Sequence, residues 1–196
     1  MELLQKTDTV VFDKTGTLTL VQPDIAKIYS YNEFSEEQIL SFAAAAEYRQ
    51  THPIAQAILQ AAQEHHIKPP ETDNIRYEVG YGIKADFAGY SIRVGSIRFM
   101  TMEGISVSDE ISNYQLDCSE QGHSVIYVAV NNELAGAIEL KAKIRPEVRS
   151  IVKTLQQQGK KVYIISGDHE KPTQQLAAEL GINHYFQRYC RKIKRI

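Results

Sequence analysis

Residues 12–19 read Phe-Asp-Lys-Thr-Gly-Thr-Leu-Thr, and they follow directly on Thr9-Val10-Val11. A short apolar, β-branched run is the pattern of a buried strand. Placing Asp13 at its end, with Lys14, Thr15 and Gly16 next, presents a carboxylate in a loop at the carboxyl edge of a parallel strand. In open α/β sheets that edge is where ligands bind. An aspartate there is a competent nucleophile towards phosphoryl groups when donors and Mg2+ neutralise the incoming charge. The backbone N–H groups and hydroxyl of the following loop can hold phosphate oxygens. Asp13, Lys14 and Thr15 are therefore candidate catalytic residues, and Asp13 and Thr15 candidate magnesium contacts. A strand ending in a solvated Asp and a glycine turn would explain the residue types, but not all eight together.

The rest of the composition narrows the class. With 43% apolar residues in 196, the chain can bury a sizeable core. A formal charge of −2 gives no broadly basic surface for nucleic acid, and no run reaches the ~18 apolar residues of a membrane span. Nothing at the N-terminus reads as a secretory signal, so a cytoplasmic chain is expected. Cys118 and Cys190 stand alone, without metal-ligand spacing, and read as free thiols.

Working outward, Gln22-Pro23-Asp24 reads as a polar turn, and Ser35 with Gln38 forms a capping box ahead of the apolar run Ile39 to Ala46. Pro53 opens a second helix whose Ile54, Ala57, Ile58, Ala61 and Ala62 share a face, so a helical hairpin is expected. From Arg76 to Val130 the period moves towards two, with glycine turns, interrupted by a helix from Asp109 to Glu120. HSVIYVAV and ELAGAIEL, joined by Asn131-Asn132, read as a hairpin. After Arg145-Pro146 the pattern returns to α/β. A helix runs from Pro146 to Gln158, KVYIIS (161–166) forms a buried strand, and a second helix runs from Pro172 to Leu180. The expectation is a discontinuous α/β domain, residues 1–22 and 140–196, with an α+β domain of antiparallel strands and helices inserted at 23–139.

FDKTGTLT resembles the phosphorylation signature of P-type ATPases, which couple cation transport to a phospho-aspartate cycle. That resemblance implies a haloacid-dehalogenase-like, Rossmannoid phosphorylation domain split by a nucleotide-binding domain, with ATP or ADP and Mg2+ as cofactors. Within EYRQTHPIAQAI, His52-Pro53 with Glu47 upstream is similar to the His-Pro motif of the heavy-metal-transporting members, where Glu and His contact adenine. Gly80-Tyr81-Gly82 and Val94-Gly95-Ser96 resemble their GxG and VGN elements, which implies that Gly80, Gly82 and Gly95 line the phosphate path. Ser166-Gly167-Asp168 is similar to their TGD loop, which implies a phosphate contact through Ser166 and Gly167 and a positioning role for Asp168. The chain departs from the family pattern at Ser96 (usually Asn), His169 (usually Asn) and Ala142 (usually Asp).

The resemblance runs from residue 1 to about 186. The family's membrane helices, actuator domain and GDGxND segment have no counterpart in the sequence, so a truncated phosphorylation domain with weak or absent hydrolysis is expected. From Gln187 the tail QRYCRKIKRI replaces the usual VLPEDK-like segment. Permitted codons for those residues, read from their third nucleotide, encode AVLPEDKAN. The tail is therefore read as an out-of-frame stretch rather than as a basic binding element. The leading expectation is an ATP-binding fragment of a heavy-metal cation-transporting P-type ATPase. A non-catalytic regulatory module for a full-length ATPase is the alternative. A haloacid-dehalogenase phosphatase ranks third, because Thr15 stands where a general-acid Asp would be needed.

Overall fold

The computed structural model describes residues 7–69, 74–78, 82–87, 89–167 and 170–187. Gly80, Tyr81, Asp168, His169 and the basic tail from Arg188, with Cys190, lie outside the described residues. In chain order the elements are β1 (Thr9–Asp13), β2 (Asp24–Ser30), α1 (Glu36–Glu47), α2 (Pro53–Glu64), β3 (Asn74–Glu78), β4 (Gly82–Phe87) and β5 (Tyr90–Gly95). There follow α3 (Ile97–Met102), α4 (Asp109–Glu120), β6 (Ser124–Val130), β7 (Glu133–Lys141), α5 (Val148–Gln157), β8 (Lys161–Ser166), α6 (Glu170–Leu180) and β9 (His184–Gln187). The chain divides into two compact units. One is Met1–Val21, Glu120–Gly122 and Ala142–Ile196 as far as these are described, and the other is Gln22–Ser119 with His123–Lys141.

The first unit is built on a parallel sheet in the order β1-β8-β9. Two turns of sequence logic make it parallel: α5 and α6 each carry an apolar stripe, and a helical crossover is what joins parallel strands. Val148 and Val152 of α5 and Leu176, Ala177 and Leu180 of α6 pack with Val162 and Ile164 of β8 and with Leu18. The register sets Asp13 beside Ile165, so the segments after β1 and after β8 leave the sheet at the same edge.

The second unit is an antiparallel sheet in the order β2-β7-β6-β5-β4-β3. Its two faces bury different layers, as the period-two alternation of β6 requires. Ile126, Val128 and Val130 join Ile39, Leu40, Ala43 and Ile58 of α1 and α2, while Tyr127 and Ala129 join Phe99, Met100 and Ile111 of α3 and α4. The expected capping box is present: Gln38 N–H donates to Ser35 Oγ at 3.2 Å and Ser35 N–H to Gln38 Oε1 at 2.9 Å. The β6–β7 hairpin turns on Asn131 and Asn132, both at positive φ (49° and 70°), the left-handed pair of a type I′ turn.

Three elements go beyond the sequence reading. β2 begins on Asp24, the last of the residues read as a polar turn, and a register shift between Ile25 and Lys27 breaks its alternation, so Ile25 and Ile28 both reach the same core. α3 starts at Ser96, whose Oγ accepts from Phe99 N–H at 3.3 Å. β9 is a short edge strand, with the His184 and Phe186 rings stacked on Tyr163 at 4.9 and 5.4 Å. No described helix is long and apolar enough to cross a membrane.

Candidate functional site

Asp13 closes β1 and is exposed, as is Thr15, while Lys14 between them is buried. The torsions of Thr15 (φ −80°, ψ 123°) and Gly16 (φ 79°, ψ −11°) are those of the central pair of a type II turn, whose second position needs glycine. Thr19 ties the loop from below. Its N–H and its hydroxyl both donate to the Lys14 carbonyl, at 3.2 and 3.3 Å, and its Oγ1 accepts from Gly16 N–H at 3.4 Å. A second strap comes from 143–145. Leu20 N–H donates to the Lys143 carbonyl (2.7 Å), Arg145 N–H to the Leu18 carbonyl (3.0 Å), and the Arg145 guanidinium to the Gly16 carbonyl (3.0 Å). Ser166, buried, and Gly167, exposed, continue β8 at the same sheet edge as Asp13. The loop is thus a rigid turn that holds one carboxylate towards solvent.

In the other unit, Glu47 ends α1 and His52 caps α2. His52 Nδ1 accepts from Ala55 N–H at 3.2 Å, which puts the ring proton on Nε2. Nε2 lies 3.0 Å from Glu47 Oε2. That is an ion-pair distance without hydrogen-bond alignment, and Oε2 is buried with no hydrogen-bond partner among the described residues. Burial pushes the Glu47 carboxyl up to about 7 and holds His52 below the usual imidazole range. Both shifts favour neutral forms, so the pair is better described as a carboxyl–imidazole contact than as a salt bridge.

Gly82 and Gly95, which are well separated in sequence, face each other as register partners across β4 and β5. A Cβ on Gly82 would fall 2.4 Å from the Phe99 ring and 2.6 Å from the Val94 carbonyl, so the close approach at this glycine is made by the protein itself. α1 packs on the face of β4 and β5 formed by Ile83, Ala85, Ile92 and Val94, whereas Gly82 faces Phe99 of α3 on the other side of the sheet. Of the predicted residues, Glu47, His52, Gly82 and Gly95 belong to this unit, and Asp13, Lys14, Thr15, Ser166 and Gly167 to the other. Gly80 and Asp168 lie outside the described residues.

A family model for haloacid dehalogenase-like hydrolases matches residues 7–194. The chain belongs to that family. Within these hydrolases it is homologous to the heavy-metal P-type ATPases. It is 30% identical over 187 residues to a manganese-exporting P-type ATPase of Mycobacterium leprae (strain TN), covering 94% of this chain and 26% of that protein. The crystal structure of a zinc-transporting PIB-type ATPase in the E2P state superposes with a TM-score of 0.82 at 30% identity, over 95% of this chain and 30% of that one. The N-domain of the copper-transporting P-type ATPase HMA8 matches 59% of this chain and 98% of its own length, with a TM-score of 0.51 and 32% identity. The haloacid dehalogenase-like chain therefore spans about a quarter of the length of the curated relative.

The residue that sequence reading passed over at this hydrolase loop is Arg145. It stood in view within Arg145-Pro146-Glu147, but its contact with Gly16 depends on a ladder between distant segments, and no local pattern announces that. A second cluster also went unread. Glu139 accepts from the hydroxyls of Tyr114 and, at 3.4 Å, Tyr29, and meets His123 Nδ1 at 2.5 Å. Burial pushes the Glu139 carboxyl up, but the hydrogen bonds from Tyr114 and His123 outweigh it and leave it below the usual range. It joins α4 to β7 and β2.

Proposed function

We propose that this chain is the nucleotide-binding and phosphoryl-acceptor part of a heavy-metal cation-transporting P-type ATPase. Residues 1–22 and 140–196 form the phosphorylation domain and 23–139 the nucleotide-binding domain. The observation that carries the reading is Glu47 Oε2, a buried acceptor without a hydrogen-bond partner among the described residues, next to a His held in a fixed tautomer. Leaving such an atom unpaired costs ~1–3 kcal/mol, and a ligand with a planar edge of donors and acceptors removes that cost. Adenine has such an edge. Glu47 and His52 then hold the base, with Gly80, Gly82 and Gly95 along the phosphate path.

In the phosphorylation domain Asp13 is the acceptor. Its carboxylate oxygen forms a bond to the γ-phosphorus of ATP as the bond to the β,γ-bridging oxygen breaks, and ADP leaves. Lys14 and Thr15 set the loop, Ser166 and Gly167 offer contacts from the neighbouring strand end, and Asp168 positions the transferred group. Among the described residues no three His, Cys, Asp or Glu side chains gather as a metal-ligand set. Mg2+ commonly takes one or two carboxylates and completes its shell with water and phosphate. Asp13 with the Thr15 carbonyl would hold it on those terms, and when bound it would offset charge on the phosphoryl oxygens. Asp13 is the carboxylate of this loop among the described residues, and hydrolysis is proposed to be weak or absent. The exported metals named for the relatives differ, manganese, zinc and copper, so no cargo is assigned to this chain.

Calorimetric titration with ADP tests the reading. Wild type binds saturably, and His52→Ala weakens binding about tenfold, roughly 1.4 kcal/mol. Equal affinity in the two proteins, or no binding by wild type, would sink it.

A further inference from the structure

The two faces of the parallel sheet are not alike. Side chains alternate across a strand, and Phe12 of β1, Val162 and Ile164 of β8 and Tyr185 of β9 all pack with α5 and α6. On the opposite face the register sets Val11 beside Tyr163 and Tyr163 beside His184, then Asp13 beside Ile165 and Ile165 beside Phe186. Val11 and Phe186 are 55% and 57% exposed there, and His184 is exposed too. An all-parallel sheet is ordinarily covered on both faces, and its strands read as unbroken apolar runs. Val10-Val11-Phe12 and Val162-Tyr163-Ile164-Ile165 are such runs. The strands are thus composed for two-sided burial, while the described residues leave Val11 and Phe186 towards solvent.

Charge decides what fits this face. Its strands all run the same way, so it has an acidic end at Asp13 and a basic end at Lys161, both exposed. Lys161 is level with Thr9, which puts it about 13 Å along the strand direction from Asp13. A second copy laid on the face by a twofold axis across the strands runs antiparallel to the first, and each Asp13 end meets a Lys161 end. A twofold axis along the strands would set Asp13 against Asp13, and like charges face to face are costly. The favoured arrangement is isologous, the usual symmetry of a homodimer, and it shuts Val11, Tyr163, Ile165 and Phe186 between the two faces. Three short strands make a face of about 240 Å2. That is well under a permanent interface, so the association is weak and reversible.

We propose that this sheet face docks a second copy of the same chain, antiparallel, with Lys161 of each copy against Asp13 of the other. The docking covers the apolar centre and brings a cation to the Asp13 carboxylate. It does not depend on Asp13 being a phosphoryl acceptor.

The experiment is sedimentation velocity of the full chain from low micromolar to millimolar concentration. Wild type moves from monomer to dimer across that range. Asp13→Lys and Lys161→Glu, both at exposed positions, each weaken dimerisation about tenfold by setting like charges together. An equimolar mixture of the two variants recovers wild-type affinity to within about threefold, because both contacts between unlike copies again join opposite charges. Val11→Lys, at the apolar centre, weakens dimerisation more than either, and the charge pair carries the test should this variant not fold. A wild type that stays monomeric throughout overturns the proposal, and the face then belongs to another occupant. Equal dimerisation by wild type and the single charge variants overturns it as well, since the dimer then uses another surface. A mixture that associates no better than its components does the same.

Discussion

Glu47 shows how a single buried group ties stability to ligand chemistry. Its carboxyl is raised by burial from 4.5 to about 7, so the folded protein binds that proton more tightly than the unfolded chain does. The sign follows from linkage. The stabilisation is fully present below pH 4.5 and is lost as the pH rises through about 7, a swing of about 3 kcal/mol. His52 works the other way: burial lowers its pKa, so its contribution is lost as the pH falls. Glu47→Gln removes the first effect and leaves the second. Urea unfolding across this range should show wild type losing stability relative to Glu47→Gln as the pH rises towards about 8. Parallel curves for the two proteins would mean that Glu47 ionises normally. Near neutral pH the protonated carboxyl both donates and accepts, which suits it to a base edge rather than to a cation.

At the scale of elements, the antiparallel sheet depends on how closely α1 can lie on β7. A Cβ on Gly136 would fall 2.3 Å from Ile39 Cδ1 and 2.4 Å from the Tyr29 carbonyl, one a core side chain and the other backbone. Gly136→Ala is therefore expected to lower stability by about 2 kcal/mol in thermal or urea unfolding, the usual cost of overpacking. Gly167→Ala is the contrast. Among the described residues nothing lies within 4 Å of its added Cβ, and it should stay within about 0.5 kcal/mol of wild type. Equal effects at the two sites would contradict the packing described. The elements that were legible in sequence carry their own local chemistry. Ser35 and Gln38 cap α1, Pro53 starts α2, Asn131-Asn132 turns the hairpin, and KVYIIS is long and apolar enough to read as β8. Those that were not legible depend on distant partners. β2 is bulged so that its two isoleucines fall out of alternation, and the Ser96 that caps α3 sits inside a glycine pattern read for another purpose.

For the whole molecule, each compact unit carries one half of the proposed chemistry: the Glu47–His52 pair in the unit with the antiparallel sheet, and the Asp13 turn at the edge of the parallel one. The FDKTGTLT stretch announced the second half because Asp13, the turn glycine Gly16 and the Thr19 anchor lie within seven residues of one another in the chain. Arg145, which completes the turn, was not legible as part of it, since its partner is in a segment far away along the sequence. The fold class was likewise readable from the change of period between the ends and the middle of the chain. On the proposed function, nucleotide recognition is built, while the acceptor edge presents Asp13 among the described residues and turnover is weak or absent. Phosphate release from ATP, measured on the full chain with Mg2+ at a nucleotide concentration that saturates wild type, tests this most directly. The predicted rate is the background rate, the same for wild type and Asp13→Asn, and Mg2+-dependent release that disappears in the variant would contradict it.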